Sequence, residues 1–310
     1  MRAVSLERIP SSLRDALDTA CRLAGLDQRD AHLIHHYANA VFLLPAENAV
    51  ARVVRSTQRS GSAQVAVEVT RWATGNHGFP ATRPLRDLPA VPVADDVVVT
   101  FWAYYPQPAA AAAVTSADLA VLIRRLHDLP APPVDLPLWR PLMSLEATVR
   151  RAPTSSWFSG EDRELVLERI DQVRAGLAAL EWPLGQGLIH GDAWAGNLLL
   201  DSTHDPARVL LGDWDGVAYG PREIDLAPTW HAASRYGRGQ EWVDRFVEIY
   251  GYDLAGWAGN EWLMRMRDLM QLTGPLRRAS PGNAFEAALR QRLDGIRSGR
   301  PAVWRPLTGT

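Results

Sequence analysis

The stretch "LIHGDAWAGNLLL", residues 188–200, sets His190, Asp192 and Asn197 in a short polar loop between two apolar runs, and "ARVLLGDWDG" soon afterwards ends a third apolar run on Asp213 and Asp215. The runs "NLLL" and "VLLG" flank the polar turn "DSTHDPAR", so the pattern predicts an antiparallel hairpin. Such pairing brings the loop that ends at Asn197 beside the carboxylate of Asp213. The apolar flanks then anchor the loop in the core.

The 310 residues suffice for one large domain or two ordinary ones, and a chain of this size buries roughly 75% of its unfolded surface. Cys21 stands alone, which excludes an internal disulfide and a cysteine-based zinc site and suits a reducing compartment. The charged start does not read as a signal peptide, and no apolar run reaches the roughly 18 residues of a membrane span, so a cytoplasmic protein is expected. A net charge of -2 argues against a nucleic-acid binder. All 33 Lys+Arg positions are arginine, so no step can use a lysine ammonium.

Along the chain, "SSLRDALDTACRLAG" predicts a helix with Ser12 as cap, Leu13, Leu17, Ala20 and Leu23 on one face, and Gly25 as stop. "NAVFLLPAENAVARVV" reads as a hairpin, "SAQVAVEVTRWATG" as a helix ending at Gly75, and "DDVVVTFWAYYP" as a buried strand. The alanine run in "QPAAAAAV" reads as a connector, placing a boundary near residue 106. "TSADLAVLIRRLHDLP" predicts a helix capped at Thr115 or Ser116, and "PAPPVDLPLWRPL" an ordered loop. "SGEDRELVLERIDQVRAGLAAL" opens with a capping-box-like Ser159 and Asp162 and buries Val166, Ile170, Val173, Leu177 and Leu180. Further helices are expected around Trp242, Phe246 and Ile249, which Gly251 ends, and over 260–272 and 283–297.

Phosphoryl transfer needs a carboxylate to orient and deprotonate the accepting hydroxyl, and oxygen ligands to hold magnesium on the phosphates. Protein-kinase catalytic loops place an asparagine five positions after their aspartate, the spacing of Asp192 and Asn197, and Asp213 then follows the hairpin as a metal-binding aspartate does. "HGDAWAGN" and "GDWDGVAYGPREIDLA", with the "NAVARVV" hairpin and the "VVVTFWAYYP" strand, resemble the aminoglycoside phosphotransferase and choline kinase superfamily from about residue 35 onward.

The resemblance implies an α+β, two-lobed protein-kinase-like fold. Residues 1–105 would form a β-rich nucleotide-binding lobe, and 106–310 a mostly helical catalytic and acceptor-binding lobe. Asp192 would be the catalytic base, His190 would support its loop, and Asn197 and Asp213 would hold Mg2+. Asp225 would tie the region together. The main chain of Trp102, Ala103 and Tyr104 would meet adenine at the hinge. Where kinase-like enzymes carry a lysine paired to a helix glutamate, this chain offers Arg52 and Glu68. The loop "HHYANAVFLL" has no glycine, and Asn39 is its candidate phosphate contact. Asp215 is expected to face solvent, His127 to make a helix-end contact and His204 to sit on an exposed turn.

The implied activity is transfer of the γ-phosphate of ATP, with GTP as an alternative, to a hydroxyl of a small molecule, an aminoglycoside or other antibiotic among the candidates. A choline-like or amino-alcohol acceptor, a nucleotide-binding regulatory protein with little transfer, and a metallohydrolase using His190, Asp192, Asp213 and Asp215 are the alternatives. A monomer or weak homodimer without nucleic-acid or membrane partners is expected. From residue 226 onward eight acids face twelve arginines, which weighs against a polycationic acceptor unless a few acids such as Glu261 and Asp268 are well placed. Trp257 and Trp262 are candidates to line the acceptor pocket.

Overall fold

A computed structural model describes residues 10–36, 39–55, 60–107, 114–300, 302–305 and 307. The alanine run, and Tyr37 and Ala38 of the glycine-free loop, lie outside these described residues. The class is α+β, and the chain forms two compact units that interleave in sequence. The first comprises Met1–Val114, Leu122–Pro137 and His190–Tyr219, and the second Thr115–Val121, Leu138–Ile189 and Gly220–Thr310.

In the first unit, α1 (Ser11–Ala24) precedes strands β1 (His32–His36), β2 (Ala40–Leu44) and β3 (Ala49–Arg55). Helix α2 (Ser60–His77) and strands β4 (Val91–Ala94) and β5 (Val97–Ala103) follow, and the antiparallel sheet runs in the order β1-β2-β3-β5-β4. Alternation along a strand sorts the side chains by face. Phe42, Leu44, Ala51, Val53, Val99 and Phe101 form one core with Leu13, Leu17, Ala20 and Cys21 of α1. Arg52 therefore projects from the opposite face, across from Thr100 of β5 and Val41 of β2. Gly25 ends α1 in the left-handed conformation as expected, whereas the helix starts after Pro10 without a side-chain cap from Ser12, and Leu23 is exposed. Strands β1 and β4 are short and polar or proline-bearing, and the apolar pattern gave no signal for them.

The hairpin predicted around residue 200 is present as β7 (Leu198–Asp201) and β8 (Arg208–Leu211), with Leu198 opposite Leu211. A segment following α2 locks its end: Leu211 N–H donates to Pro80 and Thr82 N–H to Leu211.

Helix α3 (Ser116–His127) is capped by Thr115, whose Oγ1 accepts the Asp118 N–H. In the second unit, α4 (Met143–Arg151), α5 (Gly160–Ala178) and strand β6 (Gln186–Ile189) precede β9 (Ala218–Pro221), which begins in the first unit. Helices α6 (Glu223–Arg235), α7 (Gln240–Tyr250), α8 (Asn260–Met270), α9 (Thr273–Arg278) and α10 (Ala284–Ser298) complete it. The Ser159 and Asp162 capping box stands, and Val166, Ile170, Val173 and Leu177 are buried, with α8 packed on α5. No described helix is long and apolar enough to cross a membrane.

A buried ionic network ties α6 to α8. His231 Nε2–H donates to Asp268 Oδ1 at 3.0 Å, and Arg235 grips both oxygens of Asp268 through Nε at 2.8 Å and Nη2 at 2.7 Å. Burial pushes the His231 pKa down to about 4, against the pull of the Asp268 carboxylate. Burial would raise the Asp268 pKa, but its bonds to His231 and Arg235 hold it below the usual range. Between the unfolded histidine value of about 6.5 and the folded value, the unfolded chain binds the extra proton, so stability falls as pH falls. The loss expected from His231 reaches at most about 3 kcal/mol near pH 4, and Asp268 adds to it at still lower pH. Urea unfolding across pH 7 to about 4 reads this slope, which His231→Gln should flatten; an unchanged slope in that variant would assign it to other groups.

Candidate active site

Gly212 joins the two polar stretches in the first unit. Its N–H donates to the Asn197 carbonyl at 2.8 Å, and its own carbonyl accepts from His190 Nε2 at 2.9 Å. His190 is fully buried, and its ring stands edge-on to the indole of Trp214 at 5.0 Å. Trp214 is buried in turn, with Nε1 donating to the Leu211 carbonyl at 3.0 Å. The buried histidine thus ties its own loop to the backbone of the "GDWDG" stretch. Asn197 Nδ2 donates to the Asp192 carbonyl at 2.9 Å, which closes the loop on itself. Asp192 is half-buried within that loop.

Two glycines make the approach possible. Gly191 has φ +81, and a Cβ there would lie 2.1 Å from the Gly216 carbonyl oxygen. A Cβ on Gly216 would in turn meet the His190 carbonyl at 2.9 Å. The "HGD" and "DWDG" backbones therefore touch where no side chain fits. Asp213 itself adopts a left-handed conformation at φ 59, which an aspartate tolerates better than most residues and which aims its carboxylate out of the turn. The reading of the sequence passed over these glycines, although each flanks an acid of the site.

Arg52 reaches this turn from β3. Its Nη2 alone donates to Asp213 Oδ1 at 2.9 Å and to Asp215 Oδ2 at 2.9 Å. Burial would lower the guanidinium pKa, but the charges of Asp215 and Asp213 outweigh it and hold it above its usual value. The expected Arg52 pairing with Glu68 does not form among the described residues. Glu68 instead accepts from Gln64 Nε2 at 2.7 Å, while Gln64 Oε1 accepts the Ala90 N–H at 2.8 Å. The physical reason is proximity: the fold brings the Asp213 and Asp215 carboxylates within reach of Arg52, while Glu68 lies on Gln64. Asp215 is likewise not solvent-facing: its side chain is 18% exposed, against 46% for Asp213, and its Oδ2 also accepts from Asn39 Nδ2 at 2.7 Å. Asn39 is buried, and lies on this acid.

The strand expected to meet adenine is more self-contained than its sequence implied. The Ala103 N–H donates to the Arg83 carbonyl at 2.9 Å and the Tyr104 N–H to the Asn48 carbonyl at 3.1 Å, while Trp102 is buried with Nε1 on Thr100 Oγ1 at 2.9 Å. Both expected N–H donors are thus committed within the protein.

The donor types suit a hard divalent cation: Asn197 and Asp213 carry oxygens, and the two carboxylates of Asp213 and Asp215 against one guanidinium leave a net negative charge. Among the described residues no three His, Cys, Asp or Glu side chains form a metal cage. Magnesium needs none, since it is commonly held by one or two carboxylates together with substrate phosphates.

In the second unit, Trp262 lies across Gly176 of α5 with the Arg265 guanidinium 4.9 Å from its ring, and lines a cavity of about 550 Å³ with Asp268. Trp257 packs on Trp182 at 5.3 Å. Glu261 makes an exposed ion pair with Arg265, whereas Asp268 is held by His231 and Arg235 and is no longer a free carboxylate. Asp225 is fully buried at the start of α6, and His127 is buried in the last turn of α3. His204 is half-exposed on the hairpin turn, beside Asp201.

Residues 44–263 match the model of the phosphotransferase enzyme family, APH. No curated protein matches the sequence. Among solved structures, an amicoumacin kinase, hAmiN, in complex with AMP-PNP, Ca2+ and amicoumacin, is 16% identical, with TM-score 0.68 over 94% of this chain and 97% of that one. A microcompartment-associated aminopropanol kinase is 17% identical, with TM-score 0.62 over 93% and 95% of the two chains. The aminoglycoside phosphotransferase APH(3'')-Id from Streptomyces rimosus is 21% identical, with TM-score 0.55 over 82% and 97%.

The contact between the two glycines is testable by stability alone. Gly191→Ala adds both a positive-φ penalty and a clash with the Gly216 carbonyl, and should destabilise the protein by about 2 kcal/mol or more in chemical denaturation. A neutral substitution would show that the two stretches do not touch.

Proposed function

The chain belongs to the phosphotransferase enzyme family, and from that premise we propose that it transfers the γ-phosphoryl group of ATP to a hydroxyl of a small molecule, with GTP as the alternative donor. One observation carries the reading: Asp192, Asn197 and Asp213 stand on two stretches stitched through Gly212, with Arg52 over the acids. Asp192 orients the acceptor hydroxyl. As its oxygen bonds to the γ-phosphorus, the bond to the β–γ bridging oxygen breaks, and the hydroxyl proton passes to the Asp192 carboxylate. Arg52 holds phosphate oxygens from the β3 side. Asn197 and Asp213 would hold Mg2+, which supplies charge neutralisation on the phosphates when bound.

The division into a nucleotide-binding lobe, 1–105, and an acceptor-binding lobe, 106–310, belongs to this proposal, as does a cytoplasmic location. Adenine recognition moves toward Tyr105, because the N–H groups of Ala103 and Tyr104 already have partners. Asp268, already bound by Arg235 and His231, favours an acceptor recognised by shape and hydroxyls over a polycation, so an antibiotic of low charge or an amino alcohol leads the candidates. Intact Asp192, Asn197 and Asp213 favour transfer over a purely regulatory role.

Incubation with Mg2+, ATP or GTP, and a panel of aminoglycosides, peptide antibiotics, macrolides, nucleosides and amino alcohols should add the mass of one phosphoryl group to an acceptor. Asp192→Asn should lower kcat by about 10²-fold or more with nucleotide affinity unchanged. Undiminished turnover in that variant would remove Asp192 from the chemistry.

A further inference from the structure

The two acids of "DWD" do different work in the structure. Asp213 is nearly half exposed and meets Arg52 through Oδ1, whereas Asp215 is turned inward, with Oδ2 accepting from both Arg52 and Asn39. An oxygen that already takes two hydrogen bonds, one from a cation, is a poor metal ligand through that atom. Its two donors come from the neighbouring strands β2 and β3: Arg52 from β3, and Asn39 from the residue before β2. Both are the side chains that the phosphotransferase reading assigns to phosphate.

We propose that Asp215 is a positioning residue, which holds Arg52 and Asn39 in one cluster and so sets the phosphate-binding side chains, while Asp213 serves the metal. The inference rests on the phosphotransferase reading. Physically, Arg52 is a long, rotamer-rich arm whose single Nη2 contact with Asp213 would leave it free to swing. The second contact, to Asp215, falls on the same Nη2 and holds that nitrogen between two carboxylates. Asn39 has a corresponding need. Its loop carries no glycine to crowd main-chain amides onto phosphate, so a pinned side-chain amide takes over the task of defining the loop's position. One carboxylate oxygen thereby orders both groups before nucleotide arrives, which lowers the entropy lost on binding.

The test separates nucleotide from metal. Binding of the fluorescent analogue mant-ATP with Mg2+ is measured for wild type, Asp215→Ala, Asn39→Ala and the double variant. Mn2+ binding at saturating ATP is followed by electron paramagnetic resonance, with Asp213→Ala as comparison. Asp215→Ala should weaken mant-ATP binding about tenfold, and Asn39→Ala severalfold, with the double variant no worse than Asp215→Ala alone. Mn2+ affinity should fall in Asp213→Ala and stay at the wild-type value in Asp215→Ala. Asp215→Asn keeps an accepting oxygen and should recover most of the nucleotide affinity; with Asn39→Ala it carries the comparison should Asp215→Ala not fold. Equal loss of Mn2+ affinity in the two aspartate variants, or additive losses in the double variant, overturns the proposal. Wild type that binds mant-ATP while Asp215→Ala binds it equally well overturns this inference alone. Wild type that binds none overturns the phosphotransferase reading and this inference with it.

Discussion

Gly212 commits both of its main-chain groups to the His190–Asn197 segment, its N–H to the Asn197 carbonyl and its carbonyl to His190. Everything at the site depends on that pair of bonds. They hold the end of one hairpin strand against the loop entering the other, and Asp213 follows immediately in a left-handed conformation. The surroundings are arranged to protect the pair. His190 and Trp214 are buried ring against ring, and buried hydrogen bonds of this kind are costly to break because water cannot replace the lost partner. The glycines at 191 and 216 then allow the two backbones into contact.

Much of this was legible from residue order, and the reasons are local. The apolar runs either side of "DSTHDPAR" encode a hairpin, and a hairpin in register leaves little choice about where Asn197 and Asp213 lie. The capping box at Ser159 and the stop at Gly25 are likewise signals written within a few residues. What escaped depends on partners distant in sequence. No pattern near Asp215 announces Asn39, and nothing in "FWAYYP" discloses that the Asn48 and Arg83 carbonyls reach its N–H groups. The Arg52 partner was misassigned for the same cause. The analogy with a lysine–glutamate pair pointed to Glu68, whereas the choice between Glu68 and the Asp213–Asp215 pair is made by three-dimensional proximity.

The helical unit shows the complementary limit. The arginine excess beyond residue 226 is real in sequence, yet acids such as Glu261 and Asp268 sit in ion pairs, and several guanidinium groups lie over aromatic rings, such as Arg265 over Trp262 and Arg292 over Trp304. Charge counted along the chain therefore overstates the charge a ligand meets. The family relation fixes the kind of reaction, while the fold is shared by kinases whose acceptors differ as widely as amicoumacin and aminopropanol.

A cation that never lets go of its proton has a further consequence. Where a lysine stands between two acids, alkaline conditions eventually discharge it and the electrostatic frame collapses. Arg52, held above an already high value by its neighbours, keeps its charge at any pH the protein survives. The proton-sensitive element lies elsewhere, at His231 in the helical unit, and it responds to acid. The chain thus carries its permanent charge in the first compact unit and its acid-responsive histidine in the second.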